Sequence, residues 1–504
     1  MPNDSGMRTY IQWAGLALGP ALALLTWFFL PESYADPQGN TVEFVAAGRV
    51  TAALAAWMAV WWMTAAIPVY ATALLPLAIL PLFGAGGIRE TAAPYAHELI
   101  FLFMGGFVIA LAMQRWGLHQ RIALGALRFA GTRLARIVAG FMAVTAFLSM
   151  WVSNTATTIM MLPIALSVIG LERNVGGDKS PVTAPATSFA PALLLGIAYA
   201  ASIGGIGTLI GTPPNLFLAS FAESELGISI SFARWMAVGL PLVIVFVPIT
   251  WFLLTRVLFP LKDERIAGGT DTIPRMFRSL GPMNRGERIT LVVFVLTATA
   301  WMTRPLLTQL TFFDTRPLAG LTDAGIAIVA ALVLFVSPVN IRQRVFAMDW
   351  ETATRLPWGL LLLFGGGLSL AGAISRNGVS EFIGSQVAAL GTVPVLVMII
   401  VVVTMMIFLT ELTSNIATTA ALVPILAAIA PPMGFHPLLL AVPATIAASC
   451  AFMLPVATPP NAIVFGSGHI DIAQMMRAGI GLNLIGIVLI TALAYLLALP
   501  LLIY

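Results

Sequence analysis

Thirteen apolar stretches, each long enough to enter or cross a membrane, leave this chain very few folds. Crossing about 30 Å of hydrocarbon takes roughly 20 residues of helix. Full spans are expected near 9–30, 47–66, 69–86, 98–114, 188–222, 235–257, 288–303, 322–340, 356–375, 437–468 and 476–503. Two further apolar stretches, 135–168 and 391–430, carry polar clusters at their centres. Of the 504 residues 59% are hydrophobic and only 9% charged, with a mean hydropathy of +0.96. An average soluble domain carries roughly 25% charged residues, so a soluble enzyme, a nucleic-acid binder and a disordered chain are excluded. The pI near 9.5 reports membrane topology, not affinity for nucleic acid. The 44 Gly and 33 Pro suit transmembrane helices, where both are commoner than in soluble ones. A single cysteine, Cys450, excludes an intrachain disulfide and a cysteine metal site. His97, His119, His436 and His469 are too scattered to suggest a metal cluster.

The central clusters are Ser153-Asn154-Thr155-Ala156-Thr157-Thr158 and Thr413-Ser414-Asn415-Ile416-Ala417-Thr418-Thr419. A straight lipid-facing helix would not carry so many hydroxyls and amides in its middle. A re-entrant hairpin, its tip buried in protein at membrane depth, would.

The basic residues test this layout. With a cytoplasmic N-terminus, eleven crossings and two hairpins that return to their own side, nineteen of the 25 Lys and Arg lie inside. They are Arg8; Arg115, Arg121, Arg128, Arg133 and Arg136; Arg173 and Lys179; Arg256, Lys262, Arg265, Arg275, Arg278, Arg285 and Arg288; Arg342, Arg344 and Arg355; and Arg477. That distribution satisfies the positive-inside rule and puts the C-terminus outside. Counting the hairpins as full crossings would place the 256–288 cluster outside. Arg8 and the first span read as a start-transfer segment without a small-residue cleavage site, so no cleavable signal peptide is expected. The amphipathic, Arg-bearing segment 116–134 is expected to lie along the cytoplasmic interface.

The two halves repeat at a constant offset of 261. Leu102-Phe103-Met104-Gly105-Gly106 matches Leu363-Phe364-Gly365-Gly366-Gly367, and Arg115-Trp116-Gly117 matches Arg376-Asn377-Gly378. Ser153–Thr158 matches Ser414–Thr419, and Pro163-Ile164 matches Pro424-Ile425. At an offset of 246, Gly211-Thr212-Pro213-Pro214-Asn215 matches Ala457-Thr458-Pro459-Pro460-Asn461. Each repeat holds five crossings and one hairpin. Five is odd, so the second copy is expected upside down. Inverted repeats with broken helices meeting at the midplane are the architecture of secondary transporters. A channel or a purely structural duplication is the competing reading. No G-x-x-x-x-G-K-[ST] occurs, so energy would have to come from a gradient.

Thr-Pro-Pro-Asn inside an apolar span breaks the helix, because two prolines remove two amide donors. The break frees carbonyls, including those of Gly211 and Ala457. Free carbonyls with Ser, Thr and Asn oxygens make neutral oxygen cages suited to a small cation such as Na⁺. Amide N–H groups at helix N-termini suit an anion. Two cation sites flanking one anion site are the natural arrangement. No Arg or Lys falls in the four clusters, so the anion must rely on dipoles, amides and sodium. The competing view, that these side chains merely bond helices together, suits one cluster better than four.

The paired Ser-Asn-Thr tips and Thr-Pro-Pro-Asn breaks resemble the divalent anion/sodium symporter family, which contains sodium-coupled dicarboxylate, citrate and sulfate carriers. The resemblance covers essentially the whole chain. It implies an all-α membrane protein of about 11 transmembrane helices and two re-entrant hairpins in the cell (inner) membrane. It also implies a homodimer whose transport domains move against a scaffold as elevators. Residues 1–134 and 288–390 would form the scaffold, 135–287 and 391–504 the transport domain. By similarity, one sodium site would use Ser149, Ser153, Asn154 and the Gly211 carbonyl. The other would use Thr410, Ser414, Asn415 and the Ala457 carbonyl. Ser149 and Thr410 are related by the same offset of 261. The substrate would lie between Asn154, Thr155, Thr212 and Pro213 on one side and Asn415, Ile416, Thr458 and Pro459 on the other. Ile416 stands where the pattern has Thr, which makes that wall drier and tighter. Succinate-like C4-dicarboxylates are expected first, with citrate and sulfate behind them.

Glu411, three residues before Ser414, has Met150 as its repeat mate. An intramembrane acid is a functional candidate by default, but here amide bonds within the hairpin are the favoured role, because the cation sites are complete without it. Glu98 and His97 read as anchors at the outer interface, and the Trp residues, Trp61 and Trp62 included, as interfacial belts. The glycine runs at 105–106 and 365–367 read as close helix packing, and Cys450 as a small buried residue in a broken span. No nucleophile–base pair supports an enzyme. The readings that compete with sodium symport are dicarboxylate exchange without net sodium flux and, in a different class, an anion channel.

Overall fold

The computed structural model describes residues 3–36, 39–175, 188–261, 272–311, 315–388 and 394–498. Helices occupy every apolar stretch named above, so the fold is helical, with two short antiparallel ribbons, Ser33–Ala35 with Thr41–Glu43 and Pro338–Asn340 with Val345–Phe346. Among the described residues, seven helical segments are long and apolar enough to cross a membrane: Thr9–Phe29, Ile88–Arg115, Phe232–Leu258, Arg285–Leu307, Trp358–Arg376, Asn415–Met433 and Ile472–Leu496. The other apolar helices are shorter. Lys179, Lys262, Arg265 and the end of the last span beyond 498 lie outside the described residues.

The 261-residue repeat is visible in the helix boundaries themselves. Leu118–Leu127 corresponds to Val379–Ala388, and Leu134–Ser149 to Val395–Thr410. A new helix then starts at Asn154 and at Asn415. The glycines between the matched helices, Gly117 and Gly378, have φ of 74° and 76°, a left-handed conformation that glycine adopts without steric cost. Both polar-centred stretches are helix–turn–helix units, 134–175 and 395–429, turning at 150–153 and 411–414.

Two expected spans have a different shape. The stretch 69–86 is two short helices, Val69–Thr72 and Leu75–Leu82, because Pro68, Pro76 and Pro81 punctuate it. The helix expected to run to 340 stops at Val336, since Pro338 disfavours helical backbone at Ser337. Pro338–Asn340 forms a strand instead.

The most enclosed helices sit at the centre. Every residue of Phe189–Gly205 and of Leu438–Ala448 is buried. Helix Leu134–Ser149 packs on the first, and Val395–Thr410 on the second. At the edge, Asn3–Phe29 packs on Ala46–Thr64 and exposes Tyr10, Trp13, Phe28 and Phe29, as a lipid-facing surface does. Arg121 fixes the amphipathic helix Leu118–Leu127. Its guanidinium donates to Glu287 at 2.8 and 3.1 Å and to the Gly281 carbonyl at 2.9 Å. Burial lowers the pKa of His119 on the same helix, whose Nδ1 lies 2.9 Å from the Met113 carbonyl.

The glycine runs permit close approach, as expected. A Cβ on Gly105 would lie 2.7 Å from the Ala327 backbone, and one on Gly366 would strike the Ala73 carbonyl. Gly105→Ala and Gly366→Ala should each lower the thermal unfolding midpoint of the detergent-solubilised protein, at an overpacking cost of about 1–3 kcal/mol. Gly170→Ala, in open space, should leave that midpoint unchanged or raise it.

Candidate functional site

Four helices begin at one cavity. Both turns and both proline breaks line a space of about 710 Å³. Asn154–Val175, Pro213–Leu226 and Asn415–Ile429 are 22, 14 and 15 residues long, so each directs the positive end of its dipole there. The fourth, Pro459–Phe465, has seven residues and adds less. In each break the prolines occupy the first turn of the new helix, where a missing N–H leaves no bond unmade. Asn154, Thr155, Thr212, Pro213, Asn415, Ile416, Thr458 and Pro459 all line the cavity, as do Ser153, Ser414, Gly211 and Ala457. Ser149 and Thr410 are fully buried behind it.

Behind each tip, oxygens gather in the same pattern. Ser149 Oγ lies 2.6 Å from Asn154 Oδ1 and 2.7 Å from the Ala201 carbonyl. Thr410 Oγ1 lies 2.8 Å from Asn415 Oδ1 and 2.9 Å from the Ala448 carbonyl. One hydroxyl hydrogen is available to two acceptors in each case, so each group is rich in lone pairs and poor in protons. A Cβ on Gly205 would lie 2.7 Å from Asn154 Oδ1 and 3.1 Å from the Gly211 carbonyl. The missing side chain leaves those two oxygens facing the same small volume. Ser153 Oγ is within reach of the Ala156 N–H, at 3.3 Å.

The breaks are held by side chains that face away from the cavity. Asn215 Nδ2 donates to the carbonyls of Gly205, Ile206 and Thr208 at 3.1, 3.3 and 2.8 Å. Its repeat mate Asn461 donates to Ala451 and Leu454 at 3.2 and 3.0 Å. Glu411 closes the second break: one carboxylate oxygen accepts from the N–H groups of Phe452 and Met453, at 2.7 and 2.9 Å, and from Asn483 Nδ2 at 2.9 Å. The other oxygen accepts from Met453 and Leu454, at 3.1 and 3.2 Å. At the repeat-related place in the first half, Thr208 donates to the Met150 carbonyl.

The rest of the cavity wall comes from elsewhere in the chain. Trp62, expected in an interfacial belt, is 1% exposed and lines the cavity, its indole N–H donating to the Val69 carbonyl at 3.1 Å. The chain turns between Thr64 and Val69 and brings the Val69 carbonyl to the indole, a contact that hydropathy cannot register. His97 accepts from the Leu99 N–H at 3.3 Å at the start of its helix and faces Glu223 at 3.8 Å. Cys450 is completely buried. Phe103, Phe107, Gln114 and Arg355 join the wall. Gln114, Ala156 and Ile159 also line an adjoining cavity of about 550 Å³, which extends to His119, Ser279 and Leu280. No sequence pattern pointed to Arg355, because it lies in the turn before a helix and outside the four polar clusters.

Comparison with known proteins agrees with this geometry. The family described as the sodium:sulfate symporter transmembrane region matches residues 20–503. A sodium-dependent dicarboxylate transporter, SdcS, of Staphylococcus saprophyticus is 43% identical over 494 residues, covering 97% of this chain and 92% of that protein. SdcS of Staphylococcus aureus is 42% identical over 485 residues, covering 96% and 91%. Among solved structures, the YdaH transporter of Alcanivorax borkumensis superposes with a TM-score of 0.57 at 15% identity, covering 97% of this chain and 98% of that one. MtrF of Neisseria gonorrhoeae gives 0.60 at 12% identity, covering 98% and 96%. The likeness to these two lies in the fold.

Glu411→Ala would strip acceptors from three backbone N–H groups and one amide. Each buried donor left unpaired costs about 1–3 kcal/mol, so the variant should lose most of its folded yield in size-exclusion profiles. Glu411→Gln, which keeps one acceptor oxygen, should recover part of it. Leu412→Ala, at an exposed neighbour, should behave as wild type.

Proposed function

The chain belongs to the divalent anion/sodium symporter family, and from that premise we propose that it carries a divalent organic anion across the cell membrane together with Na⁺. It is a transporter and not an enzyme. One observation carries this reading: two repeat-related, proton-poor oxygen groups flank a cavity at which three long helix N-termini end. Sodium ions would be held by Ser149, Ser153, Asn154 and the Gly211 carbonyl, and by Thr410, Ser414, Asn415 and the Ala457 carbonyl. The anion would sit between them on Asn154, Thr155, Thr212 and Pro213 and on Asn415, Ile416, Thr458 and Pro459. Two cations beside a dianion leave the loaded site without net charge, which lowers the barrier to moving it through a low-dielectric layer. The names of the Staphylococcus relatives support a dicarboxylate, and the small cavity wall at Ile416 favours succinate over citrate.

The cavity opens toward His119 and Ser279, beside the arginine-rich segments. With those segments cytoplasmic, this is an inward-facing state with the N-terminus inside and the C-terminus outside. The two hairpins and two broken helices would travel as the transport domain of an elevator, against a scaffold that also forms the homodimer.

The deciding measurement is uptake of labelled succinate, citrate and sulfate into proteoliposomes with and without a sodium gradient. Succinate uptake should require Na⁺, and K⁺ should not replace it. Equal uptake without sodium would refute symport. Uptake that depends only on internal dicarboxylate would establish exchange, and currents far above turnover-limited rates would establish a channel. Asn154→Ala and Asn415→Ala should each cut apparent affinity by about ten- to hundredfold while the protein stays folded, since a hydrogen bond to a charged group is worth about 1.5–3 kcal/mol.

Ile416 and Thr155 break the repeat symmetry at the anion itself. Ile416→Thr should shift the ratio of succinate to citrate and sulfate uptake, and Thr155→Ile should weaken uptake of all three. An unchanged ratio in the first with full activity in the second would remove both positions from the anion site.

A further inference from the structure

Among the described residues lining the 710 Å³ cavity, Arg355 is the one charged side chain. It is exposed, and no carboxylate lies within ion-pair distance of it among the described residues. The nearby Asp349 is engaged by Arg115. Arg355 therefore presents an uncompensated positive charge at the wall of a cavity whose four polar clusters contain no Arg or Lys.

The repeat shows that this charge belongs to one side only. The offset of 261 holds through this region, since the short helix Ile88–Ala92 corresponds to Trp350–Ala353 and precedes the same long helix in each half. Arg355 then corresponds to Pro94. The adjoining 550 Å³ cavity has a smaller counterpart of about 260 Å³, in which Ser380, Glu381 and Pro424 stand for His119, Gln120 and Pro163. That counterpart also carries Glu225 and no basic residue. Arg376, close to this cavity, is paired with Glu90 at 2.6 Å and also borders Glu225, since a Cβ on Gly372 would lie 2.6 Å from its Nη1 and 3.1 Å from Glu225 Oε1. Among the described residues, no Lys, Arg or carboxylate lines the 550 Å³ cavity, and Arg355 stands on the wall of the 710 Å³ cavity that it adjoins through Gln114. The repeat-related cavity is instead lined by Glu225 and Glu381.

Resting on the dicarboxylate reading above, we infer that Arg355 is an electrostatic guide for the anion at the inward-facing mouth alone, making the transporter kinetically asymmetric. A dianion entering or leaving on that side passes a fixed cation; on the other side it passes carboxylates. Charge of opposite sign at the mouth of a low-dielectric cleft raises the local concentration of the ligand, and salt screens the effect. Arg355 lies on the wall of the same cavity but outside the residues assigned to the anion above, so its charge acts through space along the approach.

The test uses the full-length protein in everted and right-side-out vesicles from expressing cells, with sodium-driven uptake of labelled succinate measured over a series of ionic strengths at fixed sodium. Arg355→Gln should raise the half-saturating succinate concentration at the cytoplasmic face roughly three- to tenfold and flatten its salt dependence. Half-saturation in right-side-out vesicles should stay within about twofold of the unmodified protein, which also shows that the variant is folded. Arg355→Lys should restore the unmodified behaviour on both faces. An unchanged cytoplasmic half-saturation and salt dependence in Arg355→Gln, or an equal change on both faces, would overturn the inference. If the unmodified protein shows no sodium-driven succinate uptake in either preparation, the dicarboxylate reading falls first and takes this inference with it.

Discussion

Everything in this structure depends on where the interrupted backbone finds its hydrogen bonds. A helix that stops halfway across a membrane exposes amides and carbonyls in a region where water cannot serve them. Here that need is met locally, by Asn215 in one break and by Asn461 and Glu411 in the other. With those groups satisfied from behind, the carbonyls and helix ends on the cavity side stay available to a solute. The cavity is what remains when two helices are held open by side chains facing away from it.

The repeats solve the same problem with different chemistry. The first break, 206–212, is short, and a threonine hydroxyl with close glycine packing suffices. The second, 449–458, is longer and frees more N–H groups on one side. A neutral side chain could not accept from so many donors, whereas a carboxylate has about four lone-pair positions. Glu411 thus stands at the place of Met150, whose carbonyl accepts from Thr208 in the first half, and its charge is spread over amide donors instead of being matched by a cation.

Much of this was legible in the chain because the governing features are local or periodic. Hydropathy located the helices. Polar residues at the centres of two apolar runs located the turns, and an offset of 261 aligned helix ends to the residue. The tips and the Thr-Pro breaks came together as expected, since each interrupts a span near its midpoint. What escaped was tertiary. Hydropathy cannot separate a tryptophan facing lipid from one turned into a cavity, so Trp62 was misplaced. It also passes through proline-punctuated segments such as 69–82 as though they were straight. Arg355 carried no local signal, because its significance lies in which wall it joins. The partners of Glu411 lie 41 to 72 residues away in the chain, beyond any pattern of spacing.

The hydroxyls of Ser149 and Thr410 have a consequence of their own. Each faces two acceptors with a single hydrogen, so it can satisfy the tip asparagine or the neighbouring carbonyl, but not both at once. Under the sodium reading proposed above, a cation settling beside the asparagine oxygen would repel that hydrogen and turn it toward Ala201 or Ala448. The hydroxyl lone pairs would then be presented to the ion by a torsion about one bond, with no movement of the main chain. Each half of the molecule thus contains a hydroxyl rotor with two acceptors, one at the tip asparagine and one at a main-chain carbonyl. A pair of such rotors would let the buried framework behind the tips answer the arrival of an ion by a side-chain flip alone.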